Sequence, residues 1–505
     1  MSKRNRRFLG RVVLFTIITT LCIAYINHVM VPKTYYYENW PATNTFGDFY
    51  QLEKNSVDVL FMGSSHAASS YNPQVIYDNY GITSYNLGSE QQSIVMTYYW
   101  LREALKYQSP KVVVLDPYTV HLYVDSYAYN DMNCSETAVR RAMDSMRFSL
   151  NKLEAALVVD HYDPKQDWLS FFLTNIRYHE RWKSVGEEDY TERELIEHGG
   201  MKGYAFMTDI IPSPTGSDFT IKASDINSEE PEDMVGSARK YLDKIRELCD
   251  KEGIRLVFSS IPCYETIGRY RSIKEYADTY GIDLYDFNED SLYQEIGYSS
   301  EEYGYYHPNY LGAAKISMYL GKVLSQDYQI SPREDASYDV SRANYEHRMK
   351  MVQLASITDA QQYFEAINDD AYSIFIFGPL TTGAQLNPQV EEGWKQLGLS
   401  YDLTSKEEGQ HYWAIRTDGN WEEHVEQGNF QTSGSFRDNR SVYSYQVDDT
   451  ILASPNRIYS VNVDGMECGN QNNGVDIVVY DNEYHRVIDR VNIDTTVEDV
   501  ALKHY

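Results

Sequence analysis

The chain has 505 residues, enough for two or three domains, and a formal charge of −29. Its five cysteines stand at neither CxxC nor zinc-ligand spacing, and its histidines are scattered, so neither a disulfide framework nor a metal site is suggested and no cofactor is expected. The first eleven residues carry five basic side chains and no acid, leaving −34 on the rest, a body that nucleic acid and anionic lipid would both repel.

Lys3, Arg4, Arg6, Arg7 and Arg11 precede an apolar run from Val12 to Pro32. As a helix rising about 1.5 Å per residue that run spans roughly 31 Å, enough to cross a bilayer. Basic residues before the span and few after it put the N-terminus in the cytoplasm and everything after about Lys33 outside the cell. A cleaved signal peptide is the rival, but no A-x-A-like site follows Ala24. Thr16, Thr19, Thr20, Asn27 and His28 are either tolerated polar residues or a helix-packing face.

After an irregular lead-in over 33–55 the periodicity becomes α/β. Strands are expected at Val57–Gly63, Ile82–Leu87, Lys111–Leu115, Arg255–Pro262 and Leu284–Phe287. Helices are expected near Pro73–Asn79, 91–107, Met234–Lys251, Thr266–Tyr280 and Tyr310–Leu324. Strands alternating with helices imply right-handed βαβ units, hence a three-layer, doubly wound parallel sheet over about 56–326. A helical insertion interrupts it at about 120–230, with amphipathic segments Ala138–Leu157 and Trp168–Trp182 and a loop at Gly199–Pro214. That insertion suits either a lid or a partner surface.

Residues 327–345 are polar and aperiodic, which predicts a linker. A smaller α+β domain is expected over 346–505, with helices near Asp359–Ile367 and Gln389–Leu397, strands Tyr372–Phe377 and Tyr412–Arg416, and a β-rich tail through Val479. The 46 tyrosines suit carbohydrate stacking or, more commonly, cores and strands. Trp394, Trp413 and Trp421 are open to the same two readings.

The stretch that carries chemistry is Val57–Pro73. A buried strand ends in Gly63-Ser64-Ser65-His66, and a small-residue helix follows. The C-terminal edge of such a strand is where open α/β sheets bind ligands, and a serine on that turn can present its Oγ beside backbone N–H groups suited to an oxyanion.

Together with His307-Pro308-Asn309-Tyr310-Leu311-Gly312-Ala313-Ala314-Lys315, this turn resembles the SGNH (GDSL-like) hydrolase and acyltransferase superfamily, whose last helix opens on H-x-N-x-x-G-A-x-K. The resemblance implies that Ser65 is the nucleophile and His307 the general base. It also implies that Gly88, in Tyr85-Asn86-Leu87-Gly88-Ser89, lends its N–H to the oxyanion. Two departures stand out. The family's Asp three residues before the histidine is replaced by Gly304, so Glu301, Glu302 or Asp116 takes its place, or the site runs as a dyad, or the domain is degenerate. The Gly-x-Asn-Asp block is also missing; strand three ends in Leu115-Asp116-Pro117-Tyr118.

The combination is most similar to the membrane-anchored branch that includes the teichoic acid D-alanyl transfer protein and the alginate O-acetylation proteins. It implies acyl transfer, acetyl first among the groups considered, onto surface glycan or teichoic acid, with a polytopic membrane-bound O-acyltransferase as partner. An esterase or deacetylase on acylated glycan, and a non-catalytic glycan-binding assembly protein, are the alternatives. Asn473–Asp481, Val487-Ile488-Asp489 and Ile493-Asp494-Thr495, with Ile374–Gly378 and Leu397-Gly398-Leu399 in inverted order, resemble the interleukin-like EMT-inducer domain. A circular permutation accounts for the order, and the resemblance implies a glycan-binding accessory module.

Overall fold

A computed structural model describes residues 3–31, 42–121, 134–162, 166–186, 188–191, 200–211, 220–234, 236–263, 265–304, 307–378, 388–402, 410–437, 441–448, 458–469, 474–483, 485–494 and 502–505. The chain divides into two units, Met1–Tyr345 and Glu346–Tyr505. The first begins with a helix, Lys3–Met30, that is long and apolar enough to cross a membrane.

The core of the first unit is a five-stranded parallel sheet: β1 (Val59–Met62), β2 (Ser84–Asn86), β3 (Val112–Leu115), β4 (Arg255–Ser260) and β5 (Asp283–Asp286). Successive residues of β1 point to opposite faces. Val59 and Phe61 join a core with Ile76, Ile316 and Leu320, while Leu60 and Met62 join another with Trp100, Leu101 and Ile245. Helices therefore cover both faces, and burial on both is why β1 reads as an unbroken apolar run. The order β2-β1-β3-β4-β5 reverses direction between β1 and β3, so the crevice beyond their C-terminal ends is the switch point where such sheets take ligands.

Several boundaries differ from expectation for local reasons. The amphipathic stretch 138–157 is two helices, Cys134–Ser145 and Leu150–Tyr162, because the Ser149 hydroxyl accepts from the Lys152 N–H and starts the second one. Residues 168–182 form a chain of short turns rather than one helix: Trp168–Phe171, Asn175–Tyr178 and His179–Lys183. The expected linker is partly helix, Ser337–Ser356. Its Tyr338 stacks on Tyr77 with ring centroids 3.8 Å apart. The Tyr338 hydroxyl also accepts from the Ser84 N–H and donates to the Ser84 carbonyl, covering the open edge of β2.

The second unit is built on an antiparallel six-stranded sheet. In spatial order its strands are Asn420–Gln427, Gln410–Thr417, Tyr372–Gly378, Val475–Asp481, Arg486–Ile493 and Leu502–His504. Ile374 and Ile376 pack with Phe364 and Val390 of the helices Ala360–Ile367 and Pro388–Gln396. Phe375 and Phe377 pack the other way, against Tyr445 and Val461 of a four-stranded sheet. Trp394 and Trp413 lie in these cores and are not stacking platforms. Trp421 donates its indole N–H to the Leu397 carbonyl at 2.6 Å.

Candidate active site

The turn after β1 can be followed atom by atom. Gly63 has φ 148°, and a Cβ there would meet the Asp116 Cβ at 2.7 Å, so only glycine ends the strand this way. Ser64 caps the helix Ser65–Ser70; its hydroxyl accepts from the His66 N–H at 3.2 Å and donates to Asp116 Oδ2 at 3.0 Å. With Ser64 held, Ser65 becomes the first helical residue. Its Oγ lies 2.9 Å from His307 Nε2, at the C-terminal edge of β1. Both side chains are half-buried, whereas Ser64 and His66 beside them are buried. A serine hydroxyl donating to Nε2 requires the neutral imidazole to carry its proton on Nδ1.

His307 belongs to a two-residue ladder, His307–Pro308 against Tyr303–Gly304, in which Gly304 is its partner across the strands. The rest of the motif has mechanical roles. Asn309 caps the helix Tyr310–Gln326, accepting from the N–H groups of Leu311 and Gly312, while its Nδ2 donates to the Glu301 carbonyl at 2.7 Å. Gly312 lies where a Cβ would meet the Glu302 carbonyl oxygen at 2.7 Å. Lys315 pairs with Glu302 at 2.6 Å. Burial works against the Glu302 charge, but the hydrogen bonds from Lys315 and Ser299 outweigh it and hold the carboxyl below its usual range.

The two halves of the site are joined by a strap in the insertion, residues 202–211, that the sequence pattern shows only as a loop. The Lys202 carbonyl accepts from the Asn86 N–H, and the Ala205 N–H donates to Ala68 on the serine's helix. Farther on, the Met207 carbonyl accepts from the Tyr310 N–H and the Ile211 N–H donates to the Tyr303 carbonyl, beside the histidine. The strap thus sets the distance between the helix that carries Ser65 and the ladder that carries His307. Gly203 marks a close backbone approach; a Cβ there would overlap the Asn86 carbonyl.

The remaining expected residues fall as follows. Gly88 lies against the serine's helix, where a Cβ would meet the Ala68 N at 2.7 Å, and its N–H donates to Asn86 Oδ1 at 2.9 Å. That donor is committed inside its own loop. Asn86 Nδ2 donates to the carbonyls of Ala67 and Tyr71, so this buried side chain locks β2 to the helix that carries Ser65. Asp116 hydrogen-bonds on the serine side of the site, to Ser64 and to the Tyr118 N–H. Burial raises its carboxyl to about 6 despite those two bonds. Glu301 is exposed on the turn before the histidine ladder.

His66 was not foreseen as part of the site. Its ring stacks on Tyr118 at 3.7 Å and meets the His307 ring edge-on at 5.3 Å. Burial, and then the neighbouring His307, push its pKa well below the ordinary value, so it stands neutral beside the base. Behind it is a cavity of about 10 Å³ lined by Asp116, Glu265 and Asp286 among others, room for about one water and too small for an acyl group. Burial raises Asp286 to about 7; burial and then the Asp286 charge raise Glu265 to about 8. The signal for this cluster, acids at the ends of several strands, is invisible until the strand order is known. Among the described residues no group of histidine, cysteine and acidic side chains has the arrangement of a metal site.

A hydroxyl against an imidazole at the mouth of a parallel sheet is equipped for nucleophilic attack with proton relay. No family model matches this chain, and no curated protein matches it either.

Proposed function

We propose that the protein is a membrane-anchored serine acyltransferase of the SGNH type that acylates extracellular glycan, with Ser65 as nucleophile and His307 as general base. The observation that supports it is the 2.9 Å contact between Ser65 Oγ and His307 Nε2, made across 242 residues of chain at the switch point of the sheet. The Ser65 oxygen attacks an acyl carbonyl carbon while its proton passes to His307 Nε2. The tetrahedral oxyanion then collapses, the bond to the leaving oxygen breaks, and His307 returns the proton to that oxygen. A sugar hydroxyl, deprotonated by His307, attacks the acyl-serine and restores the Ser65 hydroxyl. The N–H of Ser65, first in its helix, is the oxyanion donor in this scheme.

The glycan acceptor, the extracellular side and a polytopic acyl-delivering partner follow from the sequence resemblance and from the basic residues that precede the apolar helix. The test is acetyl transfer by the detergent-solubilised full chain from p-nitrophenyl acetate to an oligosaccharide. Nitrophenol release together with acetylated sugar, both abolished by Ser65→Ala, is the expected result. Release without sugar acetylation identifies an esterase, and release that survives Ser65→Ala contradicts the proposal.

A further inference from the structure

The helical insertion does more than hold the strap. Its residues 168–183 are hydrogen-bonded to the last turn of the N-terminal helix. The Thr174 hydroxyl donates to the Asn27 carbonyl at 3.1 Å, and the Asn175 N–H donates to Asn27 Oδ1 at 3.2 Å. Arg181 donates to the Met30 carbonyl at 2.9 Å and is fixed by Asp189 at 2.7 Å. The end of a helix leaves carbonyls without partners and favours a nearby cation, and this segment supplies both donors and charge.

The same segment turns apolar side chains to the outside. Leu169, Leu173 and Ile176 recur at helical spacing with exposures of 37, 40 and 44 %, and Trp182, next to Arg181, is 70 % exposed. Hydrogen bonds from Leu173 N–H to Leu169 O and from Ile176 N–H to Leu173 O hold the row in register. The depth of the row follows from the anchor. Counting about 20 residues of hydrocarbon from Val12 ends near Val31, which puts Asn27 about 6 Å inside the exit. Leu173 and Ile176 are each one residue, about 3.8 Å, from a residue bonded to Asn27. Tyr25 and Ile26, just before Asn27 on the anchor helix itself, are exposed as well.

We infer that Leu169, Leu173, Ile176 and Trp182 form a shelf seated at the boundary between the hydrocarbon and the headgroups of a phospholipid bilayer, where the N-terminal helix leaves it. A tryptophan beside a lysine (Lys183 lies 5.7 Å from the Trp182 ring) suits that wet, half-apolar layer. The shelf fixes the height and tilt of the first unit above the membrane, so an acidic body is held there by apolar contacts rather than by charge. It rests on the anchor reading of Lys3–Met30 but not on the chemistry of Ser65.

The test uses the full chain reconstituted in phosphatidylcholine vesicles, with and without a lipid carrying a nitroxide just below the headgroup. The emission of Trp182 is taken as the difference between wild type and Trp182→Phe. Quenching of that difference by about twofold or more is expected. An unquenched difference in chain that resists alkaline carbonate overturns the shelf alone. Release of the chain by carbonate overturns the anchor and the shelf together.

Discussion

Gly304 stands directly across the ladder from His307, and a Cβ at that position would lie 2.7 Å from the carbonyl oxygen of Asp209. The strap from the insertion occupies the space that an acidic side chain at 304 would need. The sequence departure at this position and the presence of the strap are therefore one structural fact.

Placing an acid at position 304 should consequently bring no gain. Gly304→Asp is expected to lower stability by about 1–3 kcal/mol through overpacking against the strap, and to leave serine reactivity no higher than wild type. Thermal unfolding and the rate of p-nitrophenyl acetate hydrolysis check both halves. A more reactive and equally stable variant would show that the strap yields readily.

Asn86 joins β2, the Gly88 loop and the serine's helix through three buried hydrogen bonds. Asn86→Ala takes its side-chain partner from the buried Tyr71 carbonyl and the Gly88 N–H and leaves the Ala67 carbonyl with only the Tyr71 N–H, which should cost about 3 kcal/mol. Because the helix it releases begins with Ser65, reactivity toward the acetate ester should fall as well, by about tenfold or more. Chemical denaturation and initial rates measured on the same samples test the pairing.

The cavity behind His66 makes a prediction about pH. Burial raises Glu265 from 4.5 to about 8, so between those values the folded state holds a proton that the unfolded state has lost. Its contribution is fully present below the unfolded value and disappears as pH rises through about 8. The melting temperature should therefore fall between pH 5 and pH 8.5, by an amount corresponding to a few kcal/mol at most. Glu265→Gln cannot ionise and should gain on wild type across that range. A gap between the two proteins that stays constant with pH would contradict the assignment.

Much of the first unit was legible in the sequence because burial on both faces writes strands as apolar runs and helices as amphipathic periods. Ser65 and His307 were legible for a different reason: each sits beside small or capping residues whose geometry leaves few substitutes, Gly63 on one side and Asn309 with Gly312 on the other. The strap was not, since residues 202–211 spend their backbone groups on distant partners and show no period. The helix Ser337–Ser356 was hidden by its exposed polar residues, with Tyr338 and Ser341 among the few it buries deeply. In the second unit the strand Tyr372–Gly378 was plain, but its two-sided burial between helices and a second sheet depends on pairings far apart in the chain.

Covalent trapping tests the central claim most directly. The full chain is treated with a fluorophosphonate, digested, and the adduct located by mass spectrometry. Phosphonylation of Ser65 that is retained in Ser64→Ala and lost in His307→Ala is the predicted result. An adduct on another residue, no adduct at all, or labelling of Ser65 that is indifferent to His307 would contradict it.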